Sequence, residues 1–267
     1  MIGQQTLEEV LTQRPLGLAF DIDGTLSPIA PTPEQARLYP GVIDLLQQAR
    51  AYAHVAILTG RAIEDGAGKV NLDGLTYIGT HGLSWSDGLP WSHAVHTAPG
   101  ALDYRPSGTY LLDLVAERLA DFPGVIVQRK QVGGSIHYRL APDHEQTRQK
   151  ILALLEEPAR RVNMRLSEGK QVIEIRPPLA IDKGQALRQF AQRHELRGLI
   201  FAGDDLTDLD AFLEIAELRQ QGLATLAIAV RHPDTPPELL RNADMVVDQV
   251  PGMVALLRHM VKILACS

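Results

Sequence analysis

The chain has 267 residues, 45% hydrophobic and 22% charged, which is the composition of a folded globular protein and not of a disordered or fibrous one. Its 26 basic and 32 acidic residues leave a net charge of −6 with no basic run. That balance excludes a nucleic-acid binder and at first makes an anionic substrate an odd match. A single cysteine, Cys266, rules out a disulfide framework and a cysteine-rich zinc site. No apolar run approaches the roughly 18–20 residues of a membrane span. The opening MIGQQTLEEV lacks the basic and apolar regions of a signal peptide. The expected location is the cytoplasm, with neither a membrane nor a nucleic acid as partner.

In chain order, the first apolar run is Leu16–Phe20, which ends in Asp21-Ile22-Asp23-Gly24-Thr25. Two carboxylates two residues apart lean to one side of a strand exit. They repel unless a cation sits between them, and a hard ion such as Mg2+ takes oxygen ligands of this kind. Gly41–Ala53 then reads as an amphipathic helix with Val42, Leu45, Leu46 and Ala49 on one face. The second strand, His54–Leu58, ends in Thr59-Gly60-Arg61, where a hydroxyl and neighbouring N–H groups can take a phosphate oxygen. Gly66-Ala67-Gly68-Lys69 lacks the further glycine and the hydroxyl of a phosphate loop. The third strand, Leu75–Gly79, runs into Thr80-His81-Gly82; His93 and His96 follow without a third metal ligand.

The middle of the chain has a different grain. Tyr110–Asp121 and Asp143–Glu157 read as helices, and Gly124–Lys130, Gly134–Leu140, Arg161–Leu166 and Gln171–Arg176 as strands. This is an αββαββ unit of about 75 residues, a workable size for a small domain. Ser135, His137 and Arg139 alternate with Ile136, Tyr138 and Leu140, and Lys170, Glu174 and Arg176 lie opposite Ile173 and Ile175. The small sheet is therefore expected to cover its apolar face with the two helices and leave a polar face, with Lys130 beside it, open. Beyond Pro177-Pro178, Asp182-Lys183-Gly184 opens a helix to Glu195, placing a lysine that can meet a phosphoryl group. Gly198–Ala202 ends in Gly203-Asp204-Asp205-Leu206-Thr207-Asp208, three carboxylates that suit a cation. Leu223–Val230 and Asp244–Val247 are further strands, and Gly252–Ala265 is a core-packing helix. Apolar strands alternating with helices predict an α/β fold with a Rossmann-like parallel sheet, ligands binding beyond the carboxyl ends of its strands.

Taken singly, TGR, KG and GDDxTD also suit ordinary caps and solvated side chains. Together, in the order DxDGT, TGR, KG, GDDxTD, they resemble the haloacid-dehalogenase-like phosphatases. The resemblance implies a hydrolase core over 1–103 and 179–267 with an inserted αββαββ cap, 104–178. It implies that Asp21 is the nucleophile, forming an aspartyl-phosphate, and Asp23 the acid/base. It gives Thr59 and Lys183 the phosphoryl group, with Gly60 and Arg61 beside it. Asp204 would join Asp21 and the backbone carbonyl of Asp23 around Mg2+, with Asp205 and Asp208 completing the metal centre.

Gly79-Thr80-His81-Gly82, Lys130 with His137-Tyr138-Arg139, and Gly169-Lys170 followed by Glu174 and Arg176-Pro177 narrow the resemblance to trehalose-6-phosphate phosphatases, from about Leu16 to Val250. Leu209-Asp210 departs from that family, which usually has Glu directly after GDDxTD. The implied substrate is the sugar phosphate trehalose 6-phosphate, contacted by His81, Lys130, His137, Arg139, Lys170 and Glu174, with a trehalose-phosphate synthase as functional partner. Alternatives are a sucrose-phosphate or mannosyl-phosphoglycerate phosphatase, a phosphomutase, and a non-catalytic sugar-phosphate sensor. The intact Asp21, Asp23, Lys183 and Asp204 set argues against the sensor.

Overall fold

Every residue of Leu16–Phe20 is buried. An unbroken apolar strand of this kind needs cover on both faces, and the computed structural model, which describes residues 6–266, supplies it. The first part of the chain runs α1 (Leu7–Leu11), β1 (Leu16–Phe20), α2 (Val42–Ala49), β2 (His54–Leu58), α3 (Ile63–Val70), β3 (Thr76–Gly79), β4 (Ser84–Asp87) and β5 (His96–Thr97). The middle part runs α4 (Arg105–Arg118), β6 (Ile126–Arg129), β7 (Gly134–His137), α5 (His144–Arg161), β8 (Arg165–Gly169) and β9 (Val172–Arg176). The last part runs α6 (Lys183–Arg193), β10 (Gly198–Gly203), α7 (Leu209–Gln220), β11 (Ala224–Arg231), α8 (Pro237–Arg241), β12 (Met245–Asp248) and α9 (Gln249–Cys266). Met1–Gln5 of the opening decapeptide lie outside the described residues. Thr6 and Glu9 form a capping box at the start of α1.

The large sheet has the order β12-β11-β10-β1-β2-β3-β4-β5, parallel from β12 to β3 and antiparallel at β4. Alternation splits its side chains between two cores. Leu16, Leu18 and Phe20 of β1 join residues of α1, α2, α3 and α9 on one face. Ala19 of β1, with Leu199 and Phe201 of β10, joins α6, α7 and α8 on the other. From β1 the chain proceeds outward through β2 and β3, and from β10 it proceeds the other way through β11 and β12. The order therefore reverses between β1 and β10, which opens a crevice at their carboxyl ends.

The chain divides into two compact units, residues 6–30, 36–96 and 181–266, and residues 31–35 and 97–180. The second unit thus starts before residue 104, because Ala101–Tyr104 forms a 3-10 turn that continues directly into α4. Its sheet is antiparallel, in the order β6-β7-β9-β8. Ile136, Ile173 and Ile175 pack with Leu111, Leu112 and Val115 of α4 and Ile151, Leu155 and Ala159 of α5. Helix α5 runs through Pro158 to Arg161, past its expected end at Glu157, and β8 begins only at Arg165. Proline removes one N–H bond from a helix, and here Leu155 and Ala159 stay buried on either side of it. No described helix is long and apolar enough to cross a membrane.

Candidate active site

Asp21 follows β1 directly, and its N–H still donates to the Ala202 carbonyl of β10 at 3.0 Å. The chain then turns tightly. Gly24 has φ +86°, its N–H donates to Ser27 O at 2.7 Å, and the Leu26 and Ser27 N–H groups both reach Ile22 O. A Cβ on Gly24 would lie 2.2 Å from Asp204 Oδ2, so glycine is required here by space as well as by φ. Gly203 is constrained by space alone, since a Cβ there would lie 2.4 Å from Asp208 Cγ. Bare backbone lets the loops after β1 and β10 close on one another.

Asp21, Asp204 and Asp208 are all buried, and each offers an oxygen within 4.8 Å of the others. Lys183, the first residue of α6, enters the cluster with Nζ 2.8 Å from Asp21 Oδ1 and 2.6 Å from Asp208 Oδ1. Asp208 Oδ2 accepts the N–H groups of Asp204 and Asp205 at 2.9 and 3.0 Å. Both oxygens of Asp208 therefore hold the protein together, while Lys183 takes one of the two Asp21 oxygens. Asp205 is half-buried and caps the following turn through Leu206 N–H.

The electrostatics follow from burial. Loss of water pushes the Asp21 carboxyl up to about 7, with Lys183 pulling it down and Asp208 and Asp23 adding to the rise. Burial also works against the Lys183 charge, but Asp208 and Asp21 outweigh it and hold the ammonium above its ordinary range. One ammonium offsets one of three clustered carboxylates. The remaining negative charge and the all-oxygen donor set fit a hard divalent cation.

Asp23 points into a different contact. Arg61 grips both its oxygens, Nε to Oδ2 at 2.6 Å and Nη2 to Oδ1 at 2.8 Å, and reaches Asp65 of α3 at 2.6 Å. These carboxylates outweigh the burial of Arg61 and keep it protonated. The guanidinium of Arg61, a residue expected beside the substrate phosphate, is committed to Asp23 and Asp65. Thr59 is buried, with Oγ1 accepting Arg61 N–H at 3.2 Å. The loop after β3 is tied to it: Thr80 N–H donates to Arg61 O and His81 N–H to Thr59 O. Thr80 and His81 both adopt positive φ, 49° and 55°, and a Cβ on Gly60 would meet the His81 ring at 2.5 Å. His81 therefore lies flush against Gly60. The Gly66–Lys69 segment falls within α3, His96 stacks on Trp85 at 5.4 Å, and His93 Nδ1 lies 3.3 Å from Leu89 O.

In the second unit the polar sheet face is less open than its alternation suggested. Ser135 and Glu174 are buried, 2% and 8% exposed. Lys130 Nζ reaches Glu174 Oε1 at 2.7 Å and Ser135 Oγ donates to the same oxygen at 3.0 Å. The charges are paired across the face and not solvated. His137 Nε2 lies 3.1 Å from Gln128 Oε1. Lys170 stands in the turn after β8, not in a strand, and its carbonyl accepts Arg139 Nη2 at 2.8 Å. Lys130, Ser135 and Glu174 thus form one group and Arg139 with Lys170 another. One core contact escaped the motif reading: His232, just beyond β11, lies 2.6 Å through Nε2 from Gly24 O.

A family model described as Trehalose-phosphatase matches residues 19–241. The trehalose-phosphate phosphatase of Mycobacterium tuberculosis is 33% identical over 233 residues, which is 85% of this chain and 57% of that protein. The chain thus spans a little over half the length of that curated relative. Among solved structures, a trehalose-6-phosphate phosphatase related protein superposes with a TM-score of 0.76 at 26% identity, over 92% of this chain and 97% of that one. The C-terminal domain of Candida albicans trehalose-6-phosphate phosphatase shares the fold, with a TM-score of 0.79 at 20% identity over 96% and 97% of the two chains. With its haloacid-dehalogenase-like core and αββαββ insertion, the chain belongs to the trehalose-phosphatase family.

Proposed function

We propose that this protein is a Mg2+-dependent phosphatase that hydrolyses trehalose 6-phosphate to trehalose and phosphate in the cytoplasm. The observation that carries the reading is the buried Asp21–Lys183–Asp208 arrangement beside Asp204, at the reversal of strand order. Family membership supports the sugar-phosphate substrate. A trehalose-phosphate synthase, which makes that substrate, is the functional partner.

In this mechanism an Asp21 oxygen attacks phosphorus, and the bond from phosphorus to the sugar oxygen breaks. Asp23, protonated and released from Arg61, gives its proton to that oxygen. Water then attacks the aspartyl-phosphate, Asp23 takes the water's proton, and Asp21 leaves as carboxylate. Lys183, Thr59 and the Gly60 and Arg61 amides hold the phosphoryl oxygens. Bound Mg2+, held by Asp21, Asp204 and the Asp23 carbonyl, would supply the charge that lets two anions meet.

The direct test is phosphate release from trehalose 6-phosphate beside sucrose, glucose and mannosyl phosphates, with and without Mg2+. Turnover is expected to vanish in EDTA and return with Mg2+, fastest on trehalose 6-phosphate. EDTA-resistant turnover, or equal rates across the panel, refutes the metal or the substrate respectively.

Cation binding also has a pH signature. A carboxyl whose folded value lies above its ordinary 3.8 stabilises the fold below about pH 4 and loses that contribution as pH rises through about 7. The metal-free protein is therefore expected to lose stability over that window. Mg2+ at a hundredfold excess over its Kd at pH 8 is expected to raise Tm by about 5 °C there, and the same concentration by clearly less at pH 5, where protonation of Asp21 weakens binding. A larger shift at pH 5 in calorimetric scans contradicts the charge assignment.

Glu174 reports on the sugar. Glu174→Ala is expected to raise KM for trehalose 6-phosphate by about tenfold or more, as removal of a charged hydrogen-bond partner does, and to leave p-nitrophenyl phosphate within a factor of about two. Equal effects on both substrates rule out sugar contact.

A further inference from the structure

In the large sheet β10 lies between β1 and β11, so the loops after β1 and β11 are separated by the loop that carries Asp204. His232 spans that separation. Its Nε2 stands 2.6 Å from the carbonyl oxygen of Gly24, and since a carbonyl only accepts, Nε2 carries the proton and donates. The backbone of His232 is itself fixed. Its N–H donates to Thr235 Oγ1 at 2.8 Å, and the buried Thr235 hydroxyl reaches Val230 O at 3.3 Å.

What His232 holds is the carbonyl of the glycine in the DxDGT turn. Gly24 has no side chain to anchor it and sits at positive φ, yet its Cα must stay against the Asp204 carboxylate. Thr25 Oγ1 approaches Asp204 Oδ1 from the same segment, at 3.5 Å. If Gly24 rotates away, Asp204 loses the surface that orients it toward Asp21 and the cluster opens. We propose that His232 is a positioning residue for the cation site: by pinning the Gly24 carbonyl it keeps the Gly24–Thr25 segment on Asp204 and so sets divalent-cation affinity. Its catalytic consequence rests on the phosphatase reading above; its effect on cation binding does not.

The test is Mg2+ titration of the metal-stripped protein by calorimetry, for the native chain, His232→Leu and His232→Gln. Leucine fills space but donates nothing, whereas glutamine carries an N–H near the Nε2 position. His232→Leu is expected to weaken Mg2+ binding about five- to tenfold, the worth of one net hydrogen bond, and His232→Gln to stay within about threefold of native. Phosphate release at varied Mg2+ is expected to show the same order in the half-saturating Mg2+ concentration, with kcat at saturating Mg2+ changed less than about threefold. If His232→Leu does not fold, His232→Asn, whose amide falls short of Gly24, replaces it with the same expectation. Native Mg2+ affinity in the leucine variant, equal weakening in the leucine and glutamine variants, or no Mg2+ binding by the native chain overturns the proposal. Mg2+ affinities in the expected order without phosphate release from any sugar phosphate uphold His232 and overturn the phosphatase reading. Native-like affinity in His232→Leu with normal turnover does the reverse.

Discussion

Asp21→Asn is expected to abolish phosphate release, by about 10^4-fold or more, while the protein stays folded. Asparagine has the shape of aspartate but neither its charge nor its nucleophilicity, so the proposed step that makes the aspartyl-phosphate would be lost outright. The fold is expected to survive because the amide oxygen can still accept from Lys183, which in the native chain also reaches Asp208 at 2.6 Å. The substitution removes one of three crowded buried carboxylates. Metal-free Asp21→Asn is therefore expected to melt no lower than the native chain at pH 8. The loss of stability between about pH 4 and pH 7 that Asp21 causes is expected to flatten. Thermal melts across that range, beside a phosphate-release assay, check both halves. Retained turnover in a cleanly purified sample removes Asp21 from the nucleophile role.

Lys183→Met is expected to damage stability and rate together. Lys183 is buried, and its ammonium bridges Asp21 and Asp208. Methionine fills much of the space but leaves two buried carboxylates without their counter-charge, a loss on the order of 3–5 kcal/mol. Protonation relieves the strain, so the melting deficit is expected to be smaller at pH 5 than at pH 8. Turnover is expected to fall by about 10^2-fold or more even with Mg2+ saturating, since a fixed donor to the phosphoryl oxygens has gone. A variant that melts like the native chain at pH 8 and keeps its kcat would show that Lys183 neither balances the cluster nor serves the reaction.

The strands of the large sheet were legible because burial on both faces leaves an unbroken apolar run. Leu16–Phe20 and His54–Leu58 match β1 and β2 residue for residue. The chemistry-bearing loops after β1 and β10 were legible because each follows such a run and Lys183 because it opens a helix, and Asp21, Lys183, Asp204 and Asp208 meet as their motifs imply. What stayed hidden was set by tertiary contact. Nothing local to Thr59-Gly60-Arg61 says that the Arg61 guanidinium turns to Asp23, 38 positions away. The acceptor of His232 is a backbone carbonyl 208 positions distant, which no side-chain motif encodes. In the second unit, alternation gave the correct faces but not the pairing of Lys130 with Glu174, which depends on register between β7 and β9. The expected end of α5 at Glu157 fell short, because packing of Leu155 and Ala159 carries the helix through Pro158 to Arg161.

The pairing of β1 with β10 carries a kinetic consequence. β1 meets β2 across a short stretch of chain, but its other neighbour, β10, arrives only after the whole middle unit has been traversed. Asp21 and Lys183 stand 162 positions apart, and Thr25 and Asp204 179. Closing a loop of that length is entropically slow compared with forming the local βαβ contacts, so this seam is expected to zip late in folding. Until then the carboxylates of Asp21 and Asp204 are solvated and far apart, and their mutual repulsion opposes nothing. It rises only as the last seam closes. A divalent ion would then act as a late clasp: absent from the early steps, it would slow unfolding more than it speeds folding.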